Sequence, residues 1–208
     1  MIKVAIIDYG TGNIASLSSA INSFNAKAYL ASDLNDIKNA DALILPGIGH
    51  FGHALKNLKK NCLLKPIIEI VKEGLPTLGI CLGFQILTLS SEEAVGKDGM
   101  GLLPFRTIRL KQDYPKIYKI PHIGWNLLSL KKNDSKLLRG ISEDNRLFYF
   151  CNSYGIKATE RFNGTFAEYT HEEDMVGLVE YKNIFGVQFH PEKSRTQGLK
   201  LIKNFLFQ

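Results

Sequence analysis

Cysteine is scarce in this chain: Cys62, Cys81 and Cys151 are the only three among 208 residues. An odd count with no paired framework argues against a disulfide scaffold and fits free thiols in a reducing compartment. Apolar runs long enough to span a bilayer are missing. The opening residues MIKVAIIDYG read straight into a strand, not into a signal segment. A cytoplasmic protein without membrane attachment is therefore expected. There is no Ser/Pro/Gly-rich linker, internal repeat or low-complexity stretch, so residues 1–208 are expected to form one domain. Charge of one sign never gathers in a block. The formal excess of +6 is spread, as in Lys56-Asn57-Leu58-Lys59-Lys60 and Lys131-Lys132, and reads as solvated faces. With no nucleic-acid-binding motif beside it, no nucleic-acid partner is expected.

What is present is a large apolar fraction, 45% of residues, enough for a substantial core. Residues 3–8, 27–31, 41–45 and 76–80 are short apolar runs closed by turns, the pattern of strands buried on both faces. Between them, helical spacing runs over 13–24, with Ile14, Leu17, Ile21 and Phe24 on one face, and over 51–59, 66–73 and 82–90. Strand and helix alternate, which implies a parallel sheet flanked by helices. The second half changes to strand patterns at 105–111, 124–130, 146–151, 165–170, 176–181 and 184–189, read as antiparallel additions to that sheet. A closing helix would bury Leu199, Ile202, Phe205 and Leu206. The expected class is mixed α/β.

The sequence Gly79-Ile80-Cys81-Leu82-Gly83 sits where a strand should end and a helix begin. Gly-x-Cys-x-Gly has the form of a nucleophile elbow, whose sharp turn excludes neighbouring Cβ atoms and exposes the thiol above the sheet. A helix N-terminus there would favour the thiolate. A lone cysteine is more often a buried filler, and the flanking glycines weigh against that. Further along lies Gln188-Phe189-His190-Pro191-Glu192. Pro191 forces His190 out of helical geometry, and residues two apart in an extended segment share a side. His190 and Glu192 can thus form a base and its orienter, although a histidine in a surface loop is the plainer reading of the motif alone. In Leu45-Pro46-Gly47-Ile48-Gly49 the glycines allow backbone N–H groups, that of Ile48 among them, to face an oxyanion together with the amide of Leu82. An ordinary Pro-Gly turn is the alternative there.

Two other patterns compete. Gly10-Thr11-Gly12-Asn13-Ile14-Ala15 matches a dinucleotide-binding fingerprint, and Asp33 lies near the position of a ribose-binding carboxylate. That rival, an NAD-dependent oxidoreductase, leaves Cys81, His190 and Glu192 without a role. His50 and His53 with His190 could suggest a metal site, but no third and fourth ligand is evident, and no metal or other cofactor is expected.

With these residues in place, the sequence resembles the class I (triad) glutamine amidotransferases, through Gly79 to Gln85 and through His190-Pro191-Glu192. More closely it is similar to the glutaminase subunits of imidazole glycerol phosphate synthase, over the whole chain. Asp8 to Asn13, Pro46 to Gly52, Pro121-His122-Ile123-Gly124-Trp125-Asn126 and Gln188 to Ser194 carry that resemblance. It implies a flavodoxin-like single domain in which Cys81 attacks the side-chain amide of glutamine and His190 relays the proton to ammonia. Gln85 and the Gly47 backbone would hold the substrate, with Ser153 and Tyr154 on its other side. It further implies ammonia transfer to a (β/α)8-barrel cyclase subunit, bound as a heterodimer near Asn13, Trp125, Tyr149 and Lys193. The joint products would be imidazole glycerol phosphate and aminoimidazole carboxamide ribotide, for histidine biosynthesis. Asn152 departs from the histidine usual at its position. A paralogue supplying ammonia for sugar amidination on surface glycans or flagellin is the alternative.

Overall fold

The chain is seen in a computed structural model that describes residues 1–10, 14–112, 118–132, 134–157 and 162–208, Lys132 by its backbone alone. The first half alternates as its apolar pattern predicts. It runs β1 (Ile2–Ile7), α1 (Ile14–Asn22), β2 (Ala26–Ala31), α2 (Leu34–Lys38), β3 (Ala42–Leu45), α3 (Phe51–Lys60), α4 (Leu64–Lys72), β4 (Thr77–Ile80) and α5 (Leu82–Ile86). The second half is strand-rich: β5 (Ser90–Ser91), β6 (Arg106–Arg109), β7 (His122–Leu127), β8 (Ser129–Lys132), β9 (Leu147–Asn152), β10 (Tyr154–Lys157), β11 (Thr165–His171), β12 (Glu173–Tyr181) and β13 (Ile184–Val187). It closes with α6 (Arg195–Leu206).

Strands β2-β1-β3-β4-β13 lie side by side and parallel. Beyond them β12 and β10 continue the sheet antiparallel. The alternation of side chains sorts the core into two layers. Val4, Ile6, Ile44, Leu78 and Ile80 pack on one face with Leu17 and Ile21 of α1 and Leu201, Ile202 and Phe205 of α6. Ala5, Ile7, Leu43 and Leu45 face the other way, onto α3, α4 and α5. Both faces are buried, which is why these strands read as unbroken apolar runs. The carboxyl ends of β3, β4 and β13 converge on one edge, the usual ligand side of such a sheet.

Several expectations need correction. The strand expected at 124–130 is two strands, and the first of them, β7, pairs with β9 in a separate two-stranded sheet. The helix expected to reach residue 90 stops at Ile86. Thr88 closes it through a hydroxyl bond to the Gln85 carbonyl (2.7 Å), and the Leu89 N–H leaves to the Phe105 carbonyl (2.9 Å). Leu199 does not join the core: it is 39% exposed, and Leu201 is buried instead. Three of these elements were not anticipated, β5, β10 and α2. Asp33 starts α2, its carboxylate accepting from the N–H groups of Asn35 (2.7 Å) and Asp36 (3.0 Å) as a helix cap. The Gly10–Ala15 fingerprint falls partly outside the described residues, which omit Thr11, Gly12 and Asn13. Among the described residues no helix is long and apolar enough to cross a membrane.

Candidate active site

The turn from β4 into α5 is held in a strained backbone. Cys81 has φ 51° and ψ −106°, a region that non-glycine residues occupy at a cost of about 1–3 kcal/mol. Its N–H is clamped to the Val187 carbonyl of β13 at 2.7 Å. The two glycines are steric necessities. A Cβ on Gly83 would lie 1.9 Å from the Leu45 carbonyl oxygen, and one on Gly79 would lie 2.7 Å from Gly83 O and Phe84 N. The 79–83 motif thus packs the elbow directly against β3. The loop after β3 presses on the same place, since a Cβ on Gly47 would meet Leu82 Cβ at 2.6 Å and Gly83 N at 2.8 Å. The Tyr9 hydroxyl donates to the Pro46 carbonyl in that loop. Ile48 is 46% exposed, whereas Leu82 is buried as the first residue of α5. Because α5 has five residues, fewer aligned peptide dipoles support a thiolate than the longer predicted helix would supply.

His190 arrives beside this elbow because β13 is parallel to β4. Its N–H donates to the Tyr149 carbonyl (2.8 Å), and its carbonyl accepts from the Ser194 hydroxyl (2.6 Å). That hydroxyl also accepts from the Tyr149 N–H at 3.0 Å. Residues Pro191–Lys193 form a 3-10 turn, so Glu192 reaches His190 by chain reversal and not by strand alternation as expected. The result is a buried pair, Nδ1 to Oε1 2.8 Å, with side-chain exposures of 2% and 5%. Burial alone would lower the His190 pKa; Cys81 and Glu192 outweigh it and hold it up at about 10. His190 Nε2 is buried and makes no hydrogen bond of standard geometry, yet Cys81 lies near enough to raise the His190 pKa by both hydrogen bonding and charge. One ring nitrogen is anchored and the other is available: this is the geometry of a base and its orienter.

The Cys81 sulfur, with the residue 6% exposed, has two further neighbours. Its S–H faces the Cys151 carbonyl at 4.0 Å, and the Gln188 side-chain amide donates to it at 3.5 Å. Gln85 is buried, and its amide nitrogen donates to the Tyr154 carbonyl (2.9 Å) and to Gln188 Oε1 (3.1 Å). Ser153 and Tyr154 are half-buried, and their carbonyls are bonded to the Leu110 N–H and to Gln85 respectively. Gln188 and Ser194 stood in the sequence only as motif residues without a role of their own. Gln188 sits two residues before His190, and strand periodicity could have flagged it.

The chain matches the family of class-I glutamine amidotransferases over residues 5–208. It is 41% identical over 206 residues to the imidazole glycerol phosphate synthase subunit HisH of Pyrococcus furiosus, covering 99% of this chain and 98% of that one. It is 40% identical over 204 residues to the HisH subunit of Bacillus subtilis, covering 97% and 94%. This chain belongs to the class-I glutamine amidotransferases, in the HisH family. A solved structure described as a glutamine amidotransferase shares the fold at TM-score 0.74, with 17% identity, 98% coverage of this chain and 97% of the other.

In this HisH-family chain the residues around Asn152 form a buried polar cluster. Asn152 donates to the Tyr154 carbonyl (2.9 Å) and the Tyr169 hydroxyl (3.2 Å). Beside Tyr169, His122 and His171 meet Nδ1 to Nδ1 at 3.0 Å, and neither Nε2 has a partner. Burial, and then its neighbour His171, lower the His122 pKa from 6.5 to about 4; burial lowers that of His171 as well. The folded protein therefore holds both rings neutral where the unfolded chain would take up protons. The stability they contribute is complete above pH 6.5 and declines as pH falls toward 4. Unfolding midpoints should drop over that interval by the equivalent of about 1–2 kcal/mol, a figure reduced for partial exposure. His122→Phe should flatten the slope between pH 6.5 and 4.5; an unchanged slope would show that other groups cause it.

The outer face of the β7–β9 sheet carries two of the residues expected at an interface, Trp125 and Tyr149. Trp125 and Tyr149 are cross-strand partners, their rings 5.9 Å apart and edge-on. Arg195 lies over Trp125 at 5.0 Å and Lys193 over Tyr149 at 5.8 Å. Ile123, Leu127 and Leu147 extend the same exposed apolar strip. Asn13 lies outside the described residues. Among the described residues no three His, Cys, Asp or Glu side chains converge in a metal-holding group; His50 instead caps α3, accepting from the Gly52 N–H at 3.0 Å.

Proposed function

We propose that this chain hydrolyses glutamine to glutamate and ammonia through Cys81, His190 and Glu192, as the glutaminase subunit of an imidazole glycerol phosphate synthase in the cytoplasm. The observation that carries the reading is a strained, nearly buried thiol on an elbow beside a buried His190–Glu192 pair. The Cys81 sulfur gives its proton to His190 Nε2 and attacks the side-chain amide carbon of glutamine, and the carbonyl oxygen takes up negative charge facing the Ile48 and Leu82 amides. As the tetrahedral species collapses, the C–N bond breaks and His190 gives its proton to the departing ammonia. Water, deprotonated by His190, then attacks the thioester carbon and releases glutamate and the thiol. Glu192 keeps Nδ1 protonated and leaves Nε2 for both transfers. Gln85, the Gly47 backbone, Ser153 and Tyr154 border the substrate site.

The ammonia acceptor in this reading is a (β/α)8-barrel cyclase subunit, docked on the apolar strip centred on Trp125. Tryptophan, tyrosine and arginine are the residue types most enriched in interface hot spots, and Trp125, Tyr149 and Arg195 meet here. Trp125→Ala should weaken association with the cyclase roughly tenfold to a hundredfold while Cys81 still reacts with a glutamine-mimicking diazo-ketone. Unaltered affinity in a titration of the two subunits would remove Trp125 from the interface. Asn152 supports a second reading, a paralogue feeding ammonia to a sugar-amidinating enzyme. Restoration of histidine-independent growth in a strain lacking its own subunit supports the first reading; failure there, with glutaminase activity intact, supports the second.

A further inference from the structure

We propose that Gln188 is a positioning residue for the nucleophile, holding the Cys81 sulfur in its reactive form through a hydrogen-bond relay that begins at the Tyr154 carbonyl. Gln188 is completely buried, and its backbone is fixed by an N–H bond to the Gly177 carbonyl at 2.9 Å. Its side chain lies between Gln85 and the thiol, with Oε1 accepting from Gln85 Nε2 (3.1 Å) and Nε2 donating to Cys81 Sγ (3.5 Å).

The direction of this relay follows from one atom. A carbonyl can only accept, so the end of Gln85 that faces Tyr154 must be its NH₂ group. Gln85 Nε2 has a second hydrogen, which points at Gln188 and selects Oε1 as the acceptor there. Gln188 is then left with its NH₂ group toward sulfur. Half a turn of the Gln85 amide would set oxygen against the Tyr154 carbonyl, and half a turn of the Gln188 amide would set donor against donor, in a buried site where an unsatisfied polar contact costs about 1–3 kcal/mol. Asn152 donates to the same Tyr154 carbonyl, filling its remaining acceptor capacity and holding it in place.

The two contacts of the sulfur discriminate between its protonation states. The Cys151 carbonyl at 4.0 Å can accept an S–H but offers nothing to a thiolate. The Gln188 N–H can donate to a thiolate and is a poor partner for a thiol. A side-chain amide also keeps its proton at any working pH, so it does not compete with His190 for the proton being moved. The same bond lowers the intrinsic nucleophilicity of each thiolate, since charge held by a donor is less available for attack. Gln188 therefore raises the amount of thiolate near neutrality and mildly restrains its reactivity. That combination has a signature.

The importance of this contact rests on the proposed glutaminase reading, but its test needs no glutamine. In a Cys62→Ala background, which removes the exposed thiol, Cys81 is alkylated with iodoacetamide from pH 5 to 10 and the modified residue is mapped. Gln188→Met keeps the buried volume and removes the donor. Alkylation of Cys81 should fall roughly tenfold near pH 7 and reach or exceed the parent rate at the alkaline end. With glutamine and partner, kcat should fall by a similar factor and KM should change little. A curve identical to the parent, or one lowered equally at every pH as a merely structural role would give, overturns the proposal. Should the variant not fold, the parent protein decides: the Gln188 side-chain N–H resonance should move with pH together with Cys81 reactivity, and a resonance that ignores that transition overturns the proposal. Absence of glutamine hydrolysis with any partner, alongside the expected alkylation curves, would remove the glutaminase reading and leave the Gln188 contact standing. Active wild-type enzyme with an unaltered Gln188→Met curve would do the reverse.

Discussion

Cys81→Ala is expected to abolish glutamine hydrolysis, with kcat down roughly 10⁵- to 10⁶-fold, by comparison with nucleophile removal in other triads. The loss should be chemical and not structural. Alanine is a subset of the cysteine side chain, and the elbow is held by contacts the substitution leaves intact: the residue 81 N–H on the Val187 carbonyl and the close packing of Gly79 and Gly83. The far-ultraviolet circular dichroism spectrum should therefore match that of the parent. Cys62→Ala should leave kcat within about twofold, as expected of an exposed surface position. Labelling with a glutamine-mimicking diazo-ketone and peptide mapping checks the assignment directly. Modification chiefly at Cys62 or Cys151 would sink it.

The second large effect belongs to the base and its orienter. His190→Asn should cost roughly 10⁴-fold or more, because both proton transfers pass through Nε2. Glu192→Gln should cost about 10³- to 10⁴-fold, since it removes orientation and charge at Nδ1 and leaves the ring in place. The double variant should be little worse than His190→Asn alone, as expected of residues acting as a unit. Losing Glu192 also removes one of the groups that hold the His190 pKa up, so the remaining activity should shift its pH profile to lower pH. Saturating ammonium supplied to the assembled complex should restore product formation in all these variants, because the proposed acceptor reaction lies on the other subunit. Near-normal partner-stimulated glutaminase activity in His190→Asn would refute the triad.

Much of the frame was legible in the order of residues. Strands β1, β3 and β4 are short runs in which both faces are apolar, too short for helices and closed by turn residues. Cys81 was legible because two glycines at minus two and plus two leave one strand-to-helix turn as the economical reading; in the fold, Gly83 admits no side chain at all beside the Leu45 carbonyl. Proline at 191 likewise marked His190 as extended and not helical, although β13 ends at Val187, short of the expected strand, and the pairing with Glu192 comes from the 3-10 turn and not from alternation.

Other features depended on neighbours distant in the chain, about which local periodicity carries no information. The closing helix shows an apolar stripe that could be centred on Leu199 or on Leu201, and packing against the α1 face buries the second and exposes the first. The pattern of residues 122–132 is that of strands, but it cannot show that β7 leaves the main sheet to pair with β9 and so presents Trp125 outward. Nor could it place Gln188 on the Cys81 sulfur, a contact between residues 107 positions apart. That contact exists because β13 enters the sheet parallel to β4, with Val187 opposite Ile80. Residue types and their spacing determined the elbow, the base and the alternating core. Sheet order, set by long-range burial of both faces, decided which of those groups would meet.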